Sequence, residues 1–151
     1  MHIVLVEPEI PQNTGNIVRT CALTNTVLHL IKPLGFSLED RYLKRAGLDY
    51  WDKVKIHVWD SYEDMVDNFK QNLVYLATTK TSYNYSQAKF NNDDMIVFGS
   101  ESKGLPEHIL ASSPNQIRIP MLDIGWSLNL SNAVAIVLYE SLRQDNFFGL
   151  E

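Results

Sequence analysis

The chain has 151 residues, 45% of them hydrophobic and 21% charged, and a formal net charge of −5. That length supports one self-sufficient core, and no apolar run approaches the ~20 residues of a membrane-spanning helix. The acidic balance argues against a protein that coats nucleic acid without selectivity, since such binding is driven by cation–phosphate pairing. Cys21 is the single cysteine, so no disulfide forms within the chain, which fits a reducing cytoplasm.

Residues 2–6 are apolar on both faces, as a buried parallel strand requires, and carry no signal-peptide pattern. Pro8 and Pro11 end this strand. Asn13 or Thr14 is placed to cap a helix whose apolar face carries Ile17, Val18, Cys21 and Ala22. A second strand covers 27–31, and Pro33 and Gly35 break it. The pattern then predicts a short helix over 38–46 stopped by Gly47, a third strand over 55–59, and a helix opened by Ser61 and running to residue 70. A fourth strand, 73–77, empties into the polar run 78–82.

A fifth strand over 94–98 ends at a loop bracketed by Gly99 and Gly104. A short helix is expected over 106–110 and a sixth strand over 116–119, closed by Pro120. The clearest helical run, 133–143, follows Ser127-Leu128-Asn129-Leu130-Ser131-Asn132, and the end beyond 145 reads as frayed. Alternating strands and helices predict a single α/β domain over 1–151, with a mostly parallel sheet and helices on both faces. In such sheets ligands sit at the carboxyl ends of the strands. Three polar loops lie there, at 78–82, 99–104 and 120–132.

The segment 127–132 holds more hydrogen-bonding groups than one helix cap needs. It is either an over-supplied cap, through Ser131 or Asn132, or a loop folded around a ligand. The 99–104 loop lacks the Gly-Lys-Ser/Thr order of a phosphate-binding loop and is not GxGxxG. It reads as a tight turn or as a place of close ligand approach. Arg19 is a solvated helix residue or a functional one. Arg41, Lys44 and Arg45 share a helix face, either solvated or contacting phosphates. Tyr42, Tyr50 and Trp51 either stack on bases or serve packing. The histidines at 2, 29, 57 and 108 are scattered without metal-ligand spacing, so no metal site is expected. Cys21 reads as a small core residue.

Taken together these stretches match a family. Asn13-Thr14-Gly15-Asn16-x-x-Arg19, the run 98–106 (Phe-Gly-Ser-Glu-Ser-Lys-Gly-Leu-Pro), Ile117-Arg118-Ile119-Pro120-Met121 and the run 127–133 resemble, in order and spacing, the motifs of the SPOUT-class RNA ribose 2′-O-methyltransferases. The opening 7–16 and the segment 45–50 (Arg-Ala-Gly-Leu-Asp-Tyr) resemble the minimal bacterial subgroup that methylates the wobble nucleotide, cytidine or uridine 34, of leucine tRNAs. The resemblance spans nearly the whole chain.

It implies a C-terminal trefoil knot, S-adenosylmethionine as methyl donor, an obligate cytoplasmic homodimer and the anticodon stem-loop of tRNA as partner. By position it implies cofactor contacts from Ala77, Thr78, Gly99, Ile119, Ser127 and Leu128, with Leu105 and Leu128 as apolar walls. Arg19, Glu101, Ser127 and Asn129 become the catalytic set, with Arg19 orienting the ribose hydroxyl and a phosphate. Arg19, Arg41, Lys44 and Arg45 become RNA contacts. One departure is visible: the residue before Ser127 is often basic in the family, whereas here it is Trp126. The competing expectations are a 2′-O-methyltransferase for another tRNA or rRNA position, and a noncatalytic RNA-binding or dimerisation module.

Overall fold

The computed structural model describes residues 1–47 and 49–151. Six parallel strands form one sheet in the order β3-β2-β1-β5-β4-β6. They are β1 (His2–Val6), β2 (Val27–Ile31), β3 (Ile56–Trp59), β4 (Val74–Ala77), β5 (Met95–Phe98) and β6 (Gln116–Ile117). The helices are α1 (Pro11–Leu23), α2 (Arg41–Gly47), α3 (Tyr62–Asn68), α4 (Glu107–Leu110) and α5 (Leu130–Gln144). Leu48, within the 45–50 resemblance segment, lies outside the described residues.

The strand alternation builds two cores. Ile3, Leu5, Leu28, Leu30, Ile96 and Phe98 face α1 and α5, meeting Ile17, Val18, Cys21, Val134, Val137 and Leu138. Val4, Val6, Ile31, Met95 and Val97 face the other way, against Tyr62 and Met65 of α3 and Ile109 and Leu110 of α4. Helices therefore cover both faces, which is why β1 and β5 are apolar without alternation. Cys21 belongs to the first core, where burial pushes its thiol up to about 12 and leaves it unreactive.

Most expected elements lie where the pattern puts them, to within a few residues. Three local expectations fail. Neither Asn13 nor Thr14 caps α1, which starts earlier, at Pro11, with Ile10 as an N-cap whose side chain makes no capping hydrogen bond. α2 starts at Arg41 rather than 38, because the Asp40 carboxylate accepts from Tyr42 N and so caps it. α5 starts at Leu130 rather than 133, and its cap is Asn129, whose Oδ1 accepts from Ser131 N at 2.9 Å. The cap is neither Ser131 nor Asn132.

The histidines at 2, 29 and 57 are not scattered in space. Parallel pairing sets His29 beside His57, and the rings of His2, His29 and His57 stack at 5.2 Å per step. Trp59 Nε1 donates to His29 Nδ1 at 3.0 Å, and His29 Nε2 lies 2.9 Å from His2 Nδ1. An indole N–H can only donate, so His29 accepts at Nδ1, carries its proton on Nε2 and donates to His2. Among the described residues no group of three histidine, cysteine or acidic side chains is arranged to hold a metal ion.

Candidate active site

The chain turns opposite ways after β1 and β5. From β1 it goes on to β2, and from β5 to β6 on the far side of β4. The crevice between them is a switch point, the place where open parallel sheets bind ligands. A cavity of about 530 Å³ opens there. Its walls are Ile10 and Asn13 after β1, residues 77–80 after β4, 98–105 after β5, 117–119 and Met121 around β6, and 126–130 before α5.

Backbone proximity shapes the cavity. A Cβ on Gly99 would lie 2.0 Å from the Gly104 carbonyl carbon and 2.2 Å from Leu105 N, so only glycine fits. Gly104 has φ +66, and its N–H closes the loop on Ser100 O at 3.0 Å. The loop thus folds back on itself and turns Glu101 toward α1.

The Glu101 carboxylate accepts from Glu9 N at 2.8 Å, Ile10 N at 3.0 Å and Asn13 Nδ2 at 3.1 Å. It satisfies donors at the start of a helix that has no acidic residue in its first turn, and its charge complements the helix dipole. Asn13 Oδ1 in turn accepts from Asn129 Nδ2 at 2.9 Å, and Asn129 Oδ1 accepts from Ser131 N and Oγ. One continuous relay, Glu101–Asn13–Asn129–Ser131, ties the loops after β1 and β5 to the start of α5. Beside it the Ser102 hydroxyl donates to Glu9 at 2.6 Å and holds that carboxyl below the usual range.

Ala77, Thr78, Gly99, Glu101, Ile119, Ser127, Leu128 and Asn129 all line this cavity. Arg19 does not. It projects from the exposed side of α1, with its guanidinium 5.1 Å from the centre of the Tyr50 ring. Among the described residues it forms no ion pair with Glu101. Glu101 orders the α1 start instead of positioning Arg19 within the chain. Arg41, Lys44 and Arg45 are exposed on α2, away from the cavity; Lys44 pairs with Glu39, and Arg41 lies over Tyr42. α2 is held close because Gly15 leaves room for Ala46: a Cβ there would meet the Ala46 methyl at 2.3 Å.

The residue that sequence reasoning missed is Asn13, the centre of the relay. Its presence in the Asn13-Thr14-Gly15-Asn16 motif was the available signal, and the capping expectation concealed it.

The profile of the SpoU rRNA Methylase family matches residues 1–139, which include every strand and all but the end of α5. The chain belongs to the SpoU rRNA methylase family. It is a methyltransferase by that membership. A tRNA (cytidine(34)-2′-O)-methyltransferase from Methylovorus glucosotrophus is 48% identical over 97% of each chain. A solved structure described for the 2-OH methylation of C/U34 on tRNA superposes with a TM-score of 0.92 at 43% identity, over 97% of this chain and 96% of that one. A SpoU methyltransferase from Streptomyces viridochromogenes, in complex with the cofactor AdoMet, shares the fold alone. Its TM-score is 0.89 at 19% identity, covering 97% of this chain and 61% of that one.

The SpoU-family site can be described chemically. It joins apolar walls, from Phe98, Leu105, Ile117 and Leu128, to a few convergent polar groups, Thr78, Ser127 and Asn129. That composition and volume suit a mid-sized organic cofactor. The glycine-lined edge suits a ligand recognised by backbone groups.

Proposed function

We propose that this protein is a cytoplasmic tRNA (cytidine(34)/uridine(34)-2′-O)-methyltransferase. It transfers a methyl group from S-adenosylmethionine to the ribose 2′-hydroxyl of the wobble nucleotide in the anticodon stem-loop of leucine tRNAs. The observation that carries this reading is identity near one half with named wobble methyltransferases along the whole chain, together with a cavity lined by the motif residues.

The residues present fit the cofactor. S-adenosylmethionine supplies an electrophilic methyl group on a sulfonium. The space kept clear by Gly99 exposes backbone groups for the adenosine part, with Ala77, Thr78, Ile119 and Ser127 around it and Leu105 and Leu128 as walls. The relay does the orienting. Asn129 cannot rotate freely, because Asn13 holds its amide nitrogen and Ser131 its oxygen. It therefore presents a fixed edge toward the cavity, as positioning of an acceptor hydroxyl requires.

Arg19 binds the ribose hydroxyl and a substrate phosphate. A guanidinium is a poor base, so Arg19 orients the hydroxyl in preference to removing its proton. It stands outside the cavity of its own chain, which supports a homodimer in which each subunit's Arg19 serves the other's cavity. The exposed Arg41, Lys44 and Arg45 then contribute RNA backbone contacts, and two subunits combine their cations against the acidic net charge.

The test is methyl transfer from labelled S-adenosylmethionine to total tRNA from a strain lacking the activity, with the product nucleotide mapped. Label at the wobble ribose is expected. A product at any other position would overturn the assignment, and no cofactor binding at millimolar concentration in calorimetry would overturn the enzymatic reading altogether.

A further inference from the structure

Trp126 is 84% exposed and lines the cavity mouth, immediately before Ser127. Water is a poor environment for an indole, and nothing within the single chain covers this one. Gly125, with φ +82, turns the chain there and leaves Trp126 facing outward. The loop also exposes Leu122 at 83% and Ile124 at 70%. From 121 to 129 it contains no cation, and Asp123 is its single charge.

A loop of this composition offers phosphates no ion pair. It can take the face of a planar, apolar group, since every base offers a π-face and stacking needs no counter-charge. The neighbouring polar groups, Ser127 and Asn129, face the cavity where the acceptor ribose would enter. A base attached to that ribose has to project past the rim. In a chain with net charge −5, local stacking also offsets a weak electrostatic pull on RNA.

We infer that Trp126 is a stacking platform for the base of the nucleotide whose ribose is presented to the cavity. This rests on the cavity being the methyl-donor site. The role is specificity and positioning, with no part in moving the proton or the methyl group.

The experiment uses the full-length protein and an anticodon stem-loop RNA, intact or abasic at nucleotide 34. Binding is followed by tryptophan fluorescence in wild type, Trp126→Leu and Trp126→Phe. With intact RNA, Trp126→Leu should weaken binding roughly ten- to a hundredfold and lose most of the quenching, while Trp126→Phe keeps most of the affinity. With abasic RNA the difference between wild type and Trp126→Leu should vanish. In turnover, the loss should fall on the KM for RNA more than on kcat.

An equal penalty with abasic RNA, or an affinity for Trp126→Leu equal to wild type, would overturn the proposal. So would conversion of a wild-type dimer to a monomer by Trp126→Leu in sedimentation, because the indole would then belong to a subunit interface. If wild type shows base-dependent quenching but transfers no methyl group, stacking stands and the proposed reaction falls.

Discussion

Asn129 Nδ2 donates to Asn13 Oδ1 at 2.9 Å, across 116 residues of chain. This bond connects the cap of the last helix to the first turn of the first helix. Through Asn13 it also reaches Glu101 on the loop after β5. Each polar group in the relay has one role in local structure and another in the cavity, so each can be tested by both stability and activity.

Asn13→Ala removes the central link. Half-buried Glu101 and exposed Asn129 each lose a hydrogen bond, so stability should fall by about 0.5–1.5 kcal/mol. Turnover should drop at least tenfold, because Asn129 is then held through its oxygen by Ser131 and no longer through its amide nitrogen. Urea denaturation and methyl-transfer kinetics check this; a stable variant with normal turnover would remove the relay from the mechanism.

Gly99→Ala forces a methyl group into backbone atoms 2.0–2.4 Å away. Backbone cannot yield as a flexible side chain can, so the loop must open, at a cost of about 1–3 kcal/mol or more. Cofactor affinity should fall by more than tenfold in calorimetry. Unchanged affinity would mean that this loop does not shape the cofactor site.

Arg19→Ala should abolish turnover while sparing cofactor binding, since Arg19 is absent from its own cavity wall. If each Arg19 serves the partner's cavity, mixing Arg19→Ala with Asn129→Ala subunits should restore part of the activity, because a mixed dimer has one site with both residues. Failure of complementation between subunits shown to exchange would place Arg19 in its own chain's site.

Acid should weaken the fold through the histidine ladder. Burial lowers His29 from 6.5 to about 3 and His2 to about 4. Both are neutral in the folded chain, and protonating His29 Nδ1 would set an N–H against the Trp59 N–H. Between the ordinary value and these lowered ones the unfolded chain binds more protons, so stability is complete above about pH 6.5 and is lost as pH falls toward 4. The urea midpoint should drop between pH 7 and pH 5. His29→Gln, which keeps hydrogen-bonding groups but does not titrate, should flatten that dependence. An unchanged slope would assign the acid sensitivity to other groups.

Much of the architecture was legible because burial leaves a one-dimensional trace. The apolar runs at 2–6, 27–31 and 94–98 could only be strands covered on both faces, and the helices between them required parallel pairing. The boundaries that failed share a cause: where several residues can cap a helix, the chosen one depends on a partner elsewhere. Asn13 and Thr14 both stand where a helix start needs a cap, whereas Glu101, 88 residues from Asn13, satisfies that end.

By itself, the order of residues determined the α/β class, the strands, the polar loops and, through its motifs, the family. Those properties follow from local periodicity and from residue types at fixed spacing. The tertiary structure alone decided that Asn13 is the hub, that Asn129 is both cap and cavity wall, that three distant histidines stack, and that Arg19 lies away from its own chain's cavity. Hydrogen-bond partners and exposure are set by which strands become neighbours, and strand order is a global outcome that no single stretch encodes.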